Sequence, residues 1–382
     1  GVGYFVNTTA GAITVTLPLS PAAGAVVAVK DYANTFDTNA VTLGRNGSNI
    51  NGAAIDATLS IEGLAITLVY VDATKGWLVT DNGDQTTQSP AYVTATGGTI
   101  TCCGDYKIHT FTGPGTLCVS NAGNPLGSAL VDYLVVAGGA GGGGRSAGGA
   151  GAGGYRESPG TASGSYSVSP LGAAPAVSLP VSVQGYTVTV GGGGAAGPGC
   201  GCVSGNGNPS TFSTIVSTGG GGTAYNIGNP GGSGGGAGRA SPTSGGAGNT
   251  PPVSPPQGQN GGDGQTSYKS GGGGGAGAIG TPAASQPGGG PGGNGVATSI
   301  SASSVTRAGG GGGARPNNPP EPDANGTGGT GGGGAGATVS PSIGTAGTTN
   351  TGGGGGGGYG VSPGAGGAGG SGIVIIRYKF QN

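Results

Sequence analysis

The side chains that most often carry chemistry are scarce in this chain and poorly spaced for it. Its 382 residues include one histidine, 13 Asp and Glu together, and five cysteines. His109 lies in the alternating run Tyr106-Lys107-Ile108-His109-Thr110-Phe111. A general base needs a partner within hydrogen-bond reach. Asp105, four residues back, would share its strand face but sit about 13 Å away, so His109 is expected to be structural. The carboxylates are scattered, with no paired acid and base. Glu321 and Asp323 lie two apart in a Pro-rich loop, where solvation is the expected role and a calcium contact the remote one. Gly-x-Gly-x-x-Gly matches arise by chance among 101 glycines. None leads from a strand into a helix, as a dinucleotide site requires. The chain therefore reads as a non-enzyme with no catalytic residue, no metal and no cofactor.

The cysteines, at 102, 103, 118, 200 and 202, leave several readings open. An odd number leaves one unpaired, and the adjacent Cys102 and Cys103 strain an ordinary disulfide. Cys200-Gly201-Cys202 is too tight for a zinc knuckle and has no histidine nearby. Buried free thiols or surface-neutral residues, a single disulfide, or a metal are the alternatives, in that order, and they do not fix a redox compartment.

Composition narrows the partners. With 12 basic residues, a formal net charge of −1 and no basic run, a nucleic-acid partner is not expected. No run of 18 apolar residues is present, so no membrane insertion is expected. The sequence has no Met, and reads as a processed product or part of a longer polypeptide. Its 101 glycines and 26 prolines are about a third of all residues, a share that often marks disorder. Disordered chains, however, usually carry high net charge and few strand formers. Here Val, Ile and Thr strands recur between the glycine tracts, so order is expected.

These patterns predict an all-β protein with essentially no α-helix. Residues 1–88 read as a small β fibre and oligomerisation module. Its period-2 runs include Ile13-Thr14-Val15-Thr16 and Ala65 to Val71, and Asn46-Gly47, Asn51-Gly52 and Asn82-Gly83 supply turns. Trp77, the sole tryptophan, should dominate its thin core, and a module this small gains buried area by self-association. Residues 89–131 read as a connecting β-segment. Residues 132–382 read as a glycine-rich domain closed by pairing the apolar strands 133–137 and 372–380. Runs at 179–183, 186–190 and 211–216 are expected in the same sheet.

Glycine runs at 141–144, 191–194, 219–222, 271–275, 309–313, 331–334 and 352–358 lack the strict triplet of collagen. They are flexible linkers or a packed lattice of polyglycine-II helices. Such helices have about three residues per turn and no internal hydrogen bonds, so every N–H and C=O must find a neighbour. The alternation of tracts with strands favours the lattice.

At Tyr133-Leu134-Val135-Val136-Ala137-Gly138-Gly139, Gly185-Tyr186-Thr187-Val188-Thr189-Val190, Asn208-Pro209-Ser210-Thr211-Phe212 and Gly372-Ile373-Val374-Ile375-Ile376-Arg377-Tyr378, the sequence resembles the glycine-rich domain of tailed-bacteriophage tail-fibre and virion proteins. Gly104-Asp105-Tyr106-Lys107-Ile108-His109-Thr110-Phe111 is similar to the strand that leads into those domains. Ile13-Thr14-Val15-Thr16-Leu17-Pro18 and Gly44-Arg45-Asn46-Gly47 resemble fibre modules of phages of aquatic bacteria. The resemblance implies an extracellular virion appendage, homotrimeric, whose glycine-rich tip attaches to a bacterial surface glycan or outer-membrane protein. A purely structural subunit of a secreted microbial filament is the alternative. The vicinal Cys102-Cys103 and the Pro-rich inserts depart from the family pattern.

Recognition is then expected in two loops that interrupt the lattice. Gly245 to Ser270 carries Thr250-Pro251-Pro252-Val253-Ser254-Pro255-Pro256 and Tyr268-Lys269. Ala314 to Thr327 carries Arg315, Asn317, Asn318, Glu321, Asp323 and Asn325. Proline lowers the entropy lost on binding, and the polar side chains supply adaptable contacts.

Overall fold

The structure, a computed structural model, describes residues 1–382 except 83–89, 125–126, 163, 165, 173, 201, 225, 240–243, 266–268, 284–287, 316–324, 339–341, 361–363 and 382. Among the described residues the fold is all-β, with a 3-10 turn at Pro170–Gly172 and no α-helix. No helix there is long and apolar enough to cross a membrane. The chain divides into two compact units, Gly1–Ser89 and Pro90–Asn382.

The first unit holds β1 (Val2–Val6), β2 (Ile13–Thr16), β3 (Val26–Asp31), β4 (Val41–Gly44), β5 (Ala57–Leu59), β6 (Ala65–Asp72) and β7 (Gly76–Asn82). They form two sheets, ordered β1-β3-β6-β7 and β2-β4-β5. The chain changes sheet at each of its first three connections, so β1 pairs with β3 in parallel, and β2 with β4. Period-2 alternation drives the packing: along β3, Val27 and Val29 are buried while Val26, Ala28 and Lys30 are half-buried. Both sheets turn residues into one core around Trp77, Phe36, Leu43 and Leu68. Trp77 is fully buried, with Tyr70 edge-on at 5.6 Å between ring centroids.

The second unit contains β8 (Val93–Thr96), β9 (Thr99–Cys103), β10 (Tyr106–Phe111), β11 (Gly115–Ala122), β12 (Leu130–Val136), β13 (Tyr155–Glu157), β14 (Leu179–Pro180), β15 (Gly185–Thr189), β16 (Ser210–Phe212), β17 (Ile215–Ser217), β18 (Val296–Thr298), β19 (Val305–Arg307) and β20 (Ile373–Lys379). The two apolar runs that bracket the glycine-rich region pair antiparallel as β12 and β20, with Leu134 opposite Ile375. They are the centre of a sheet ordered β13-β12-β20-β10-β9, with β14 on β12. The strands expected to connect the domains, β8 to β11, are built into this unit: β9 and β10 extend the central sheet, and β8 and β11 join a second one. The internal runs also depart from expectation. Only β14 joins the central sheet, whereas β15, β16 and β17 continue the second sheet, ordered β17-β16-β15-β11-β8. The reason is two-sided burial. A strand that is apolar on both faces needs a layer on each, and β12 and β20 are buried almost throughout. Tyr133, Val135, Val374, Ile376 and Tyr378 face a core shared with Leu117, Val188 and Phe212 of the second sheet. Leu134, Val136, Ile373 and Ile375 face the other way, against Ala152, Ala276 and Ala308 of the glycine tracts.

The tracts form the third layer. Their hydrogen bonds change partner with a period of three, as expected for polyglycine-II helices. Along 149–154, the amides of Gly149 and Ala152 donate to Gly271 and Gly274. Those of Ala150 and Gly153 donate to Gly355 and Gly352, and those of Gly151 and Gly154 to Gly221 and Thr218. Tract 352–358 is surrounded on all sides. Its amides at 354 and 357 donate to Gly309 and Gly312, those at 355 and 358 to Ala140 and Gly143, and that at 356 to Thr345. Its carbonyls accept from Gly334 and Ala337, from Ala150 and Gly153, and from Gly367 and Gly370. At such spacing a side chain has nowhere to go. A Cβ on Gly355 would run into the carbonyl oxygen of Gly367. Alanine is accommodated where a tract meets the sheet, as at Ala152, Ala276 and Ala308, each fully buried.

Gly355→Ala is therefore expected to cost about 1–3 kcal/mol through overpacking, and Gly355→Val more. Gly192→Ala, whose Cβ would meet nothing nearer than Asn208 Nδ2 at 3.6 Å, should stay within about 0.5 kcal/mol of wild type. Urea unfolding of the three variants checks the ranking, and equal midpoints would remove the packing argument.

Candidate functional site

Two buried polar groups show where the chain's few ionisable side chains went. His109 is fully buried in β10. Its Nδ1 lies 2.7 Å from the Gly97 carbonyl and its Nε2 2.9 Å from the Tyr378 hydroxyl, which accepts the Ala95 amide at 3.1 Å. A carbonyl can only accept, so Nδ1 carries the proton and Tyr378 O–H donates to Nε2. Burial pushes the His109 pKa below its ordinary 6.5, nearby Lys107 lowers it further, and the Gly97 bond opposes both. The ring is a structural clamp between β10 and β20, in agreement with its place in an alternating strand.

The second group is one the sequence reading missed. On β13, buried Glu157 accepts from Tyr155 O–H at 2.9 Å, Thr298 O–H at 2.5 Å and the Ser169 amide at 3.1 Å. On β12, buried Asp132 accepts from the Ser158 and Ser178 hydroxyls at 2.7 and 2.8 Å. Burial raises the Glu157 pKa, and the three donors oppose that shift. These carboxylates tie segment 158–178 and the β18–β19 hairpin to the central sheet. Both are enclosed, with Asp132 fully buried and Glu157 nearly so, so the cluster is structural. The available signal was Tyr155-Arg156-Glu157 at the end of a glycine tract, where only a returning strand would place a charge.

The exposed features lie at the ends of the glycine helices, which run out from the sheets and back. Tract 137–144 leaves β12, reverses at Arg145 and Ser146 (φ 59° and 64°), and returns as 147–154 into β13. The Ala140 amide reaches Gly151 across that pair at 3.0 Å. Tract 191–197 leaves β15 and 203–209 returns into β16, and tract 308–315 leaves β19 and 325–330 returns beside it. The last return, 364–372, feeds β20. Two ends result, one at the sheets and one remote from them.

The remote end collects Arg145, Cys200, Cys202, Arg239, Lys269, Arg315 and Tyr359, together with the described flanks of 240–243, 266–268, 316–324 and 361–363. Neighbouring reversals are stitched together: Arg145 N–H donates to Gly364 O at 3.1 Å, and Ser270 O–H to Ala314 O at 2.7 Å. The second bond brings Lys269 and Arg315 to the same edge. Arg315 is buried, with its amide on Ala337 O at 3.2 Å, and Asn325 Nδ2 donates to Gly336 O at 2.7 Å. These two predicted recognition residues anchor the base of their loop. Lys269 is half-buried and its carbonyl accepts from the Gln265 amide at 2.9 Å. Tyr268, Asn317, Asn318, Glu321 and Asp323 lie outside the described residues.

The stretch Gly245 to Ser270, read from sequence as one loop, is a Pro-rich reversal at the sheet end, an outgoing tract, and a reversal at the remote end. Asn249 holds the Pro-rich part. Its Oδ1 accepts the amides of Val253 and Gln257 at 3.1 and 3.2 Å. Buried Gln257 donates to Pro251 O at 3.0 Å and accepts the Thr218 amide at 2.9 Å. Pro251, Pro252, Ser254 and Pro256 are left exposed. The amide-hungry backbone between the two reversals had already been claimed by neighbouring tracts, which is why the single loop does not form.

Cys200 and Cys202 form a disulfide, while Cys102 and Cys118 are exposed thiols and Cys103 a half-buried one; none of the free thiols is buried, because each lies toward a sheet edge or outer face. Among the described residues no group of three or more His, Cys, Asp or Glu could hold a metal ion.

Protonating His109 would set an Nε2–H against a hydroxyl that already accepts the Ala95 amide. The unfolded chain takes up that proton near pH 6.5 and the native one resists it, so stability should fall as pH drops below about 6.5. Glu157, with its raised pKa, acts in the opposite sense lower down. Comparing urea midpoints of wild type and His109→Gln at pH 8 and pH 5 isolates the histidine: the variant should be less stable at pH 8 but lose less on acidification.

The chain belongs to the glycine-rich domain family, whose model matches residues 112–379. No curated protein matches the sequence.

Proposed function

We propose that this glycine-rich domain protein is a bacteriophage tail-fibre or related virion appendage protein that attaches to a bacterial surface through the remote ends of its glycine helices. The observation that carries this reading is the collection of reversals at one end of a lattice held mainly by backbone hydrogen bonds. Binding and catalytic residues concentrate on loops held by rigid scaffolds, and weak contacts repeated across a face and across subunits add through avidity. Charge gives the ligand class. Arg145, Arg239 and Lys269 are at this end, and Glu321 and Asp323 belong to the chain between Arg315 and Asn325, so side chains of both signs are available to a polar surface glycan. An outer-membrane protein with a polar face is the other partner of that chemistry. In this reading the chain performs no catalysis, and release of reducing ends from a bound polysaccharide would overturn that part.

Self-association, as a homotrimer, fits the first unit. Phe5 is 77% and Val2 54% exposed on β1, an edge strand with one side unpaired, and open edges invite pairing with another chain. The same edge favours the alternative of a subunit in an extracellular filament. A closed trimer by sedimentation supports the appendage, and open arrays in electron micrographs support the filament.

Replacing Arg145, Arg239 and Lys269 together by Glu is expected to weaken adsorption to cells that bind the wild-type chain by about tenfold or more, since charge steers encounter. The variant should remain folded, as circular dichroism checks, and added salt should weaken the wild type in the same way. Unaltered adsorption would remove the remote end from recognition. Deleting 317–324 while keeping the anchors Arg315 and Asn325 should also spare folding and reduce adsorption. Loss of soluble protein would contradict the first half, and full adsorption the second.

A further inference from the structure

The Cys200–Cys202 disulfide has no visible structural task. It closes a loop with a sequence separation of 2. The entropy that a crosslink removes from the unfolded chain grows with the logarithm of the loop it closes, so this one restrains the unfolded chain less than a crosslink over a longer loop would. The hairpin that carries it is already fixed. Its arms, 191–197 and 203–209, bond to each other through the Gly205 amide on Ala195 O at 2.9 Å and the Asn208 amide on Gly192 O at 3.0 Å. Both arms are also bonded to tract 138–142. Gly194 and Gly197 donate to Gly139 and Gly142, and Gly138 and Gly141 donate to Asn208 and Gly205. The Gly366 and Gly369 amides cap Gly197 and Gly194 from a further tract. With the arms held from three directions, opening the bond at the tip would leave every one of these contacts in place. Both cysteines are exposed, and they sit among the reversals of the remote end, next to Val203, which is 59% exposed.

We infer that Cys200 and Cys202 are a thiol–disulfide exchange site for an accessible thiol, a role independent of how the neighbouring loops recognise a surface. A thiolate R–S⁻ attacks one of the two sulfurs along the S–S axis. The Cys200–Cys202 bond breaks, a mixed disulfide forms with the attacked cysteine, and the other leaves as a thiolate. A second thiolate then attacks the R sulfur, releasing R–S–S–R, and the cysteine pair has gained two electrons from two R–SH. Without a second thiol, the freed cysteine attacks the mixed disulfide, expels R–S⁻ and restores the starting bond. Exposed disulfides are the labile ones in such exchange, and the neighbouring cysteine makes capture reversible. At an appendage tip this chemistry gives a covalent but releasable bond to a thiol-bearing partner.

The test uses the full chain with Cys102, Cys103 and Cys118 replaced by Ser, so that only this pair reports. Millimolar glutathione at pH 8 should reduce the disulfide in the native protein, with two thiols titrating per chain and a melting temperature shifted by no more than about 2 °C. Cys202→Ser in the same background should accept one equivalent of a disulfide-linked cysteine peptide and keep it, seen as a mass increment. The parent with both cysteines should release it. Faster reaction with a reduced cysteine peptide than with glutathione at equal thiolate concentration assigns a protein thiol as partner, and the reverse assigns a small thiol. A disulfide that resists both until guanidinium unfolds the chain would overturn the proposal, as would a large fall in melting temperature on reduction. The second result would make it a structural crosslink.

Discussion

A helix with about three residues per turn cannot bond to itself, and that single fact arranges the second unit. Each amide and carbonyl of a glycine tract must be met by another tract, because a buried unpaired group costs about 1–3 kcal/mol. One tract alone, or two, would leave most of these groups bare, and glycine gives up more conformational freedom on ordering than any other residue. Tract 352–358 shows the arrangement that satisfies the condition, with hydrogen-bonded partners at 309–312, 140–143, 345, 334–337, 150–153 and 367–370. The need for close neighbours excludes large side chains from the interior, so composition and packing are two expressions of one constraint. Alanine is buried within the tracts, as at Ala140, Ala150 and Ala237, and at the boundary with the central sheet its methyl groups become the apolar layer that β12 and β20 require on their second face.

The same constraint separates scaffold from surface. A lattice held mainly by backbone groups reads little from side chains, and many of the second unit's charged residues lie in two places. Some are drawn into the seam between sheet and lattice, where Glu157 and Asp132 fasten the segments that run past it. Others collect at the reversals, where Arg145, Arg239 and Lys269 are carried on chain ends that cannot drift. Rigidity here comes from hydrogen bonds spread over many segments rather than from a few large apolar contacts.

Much of this was legible in the sequence, for reasons that can be assigned. The pairing of 133–137 with 372–380 was readable because both runs are apolar without alternation, which only a strand covered on both faces tolerates. The lattice was readable because strands punctuate the tracts. The second sheet was not: its strands β15, β16 and β17 are only three to five residues long, and a period-2 pattern says which face is buried but not against which layer. Nor could residues 90–131 be seen to belong to the second unit, since β9 and β10 owe their place to register with β20, more than 260 residues away, as in Tyr106 opposite Lys379. The buried carboxylates escaped notice because Asp132 and Glu157 are brought together with Ser178 and Thr298 by the return of tracts. For the candidate site, the sequence singled out 245–270 and 314–327 as loops but did not show that 245–270 divides between two ends. That division depends on how many residues a tract needs to cross the lattice, a length set by its neighbours and not by its own residues.

The architecture also explains how a chain so poor in side-chain contacts can carry long and dissimilar inserts. Each reversal joins an outgoing and a returning helix that are already bonded along their length, as Gly310 and Gly313 are to Gly329 and Gly326. Their separation is fixed by the lattice, so the loop only bridges a short, preset gap. The closure cost then grows with the logarithm of loop length, about 0.6 kcal/mol for each doubling. Going from the two-residue reversal at Arg145 and Ser146 to one several times longer is therefore a small thermodynamic step. A β-sandwich loop meets the same polymer physics, but its neighbours are side chains that an insert can disturb. Here the flanking helices are held to each other mainly by backbone hydrogen bonds along their length, which an insert beyond their ends leaves in place. In the proposed function, recognition can be elaborated at the remote end while the interior keeps its hydrogen bonds, so that function and stability are least coupled there.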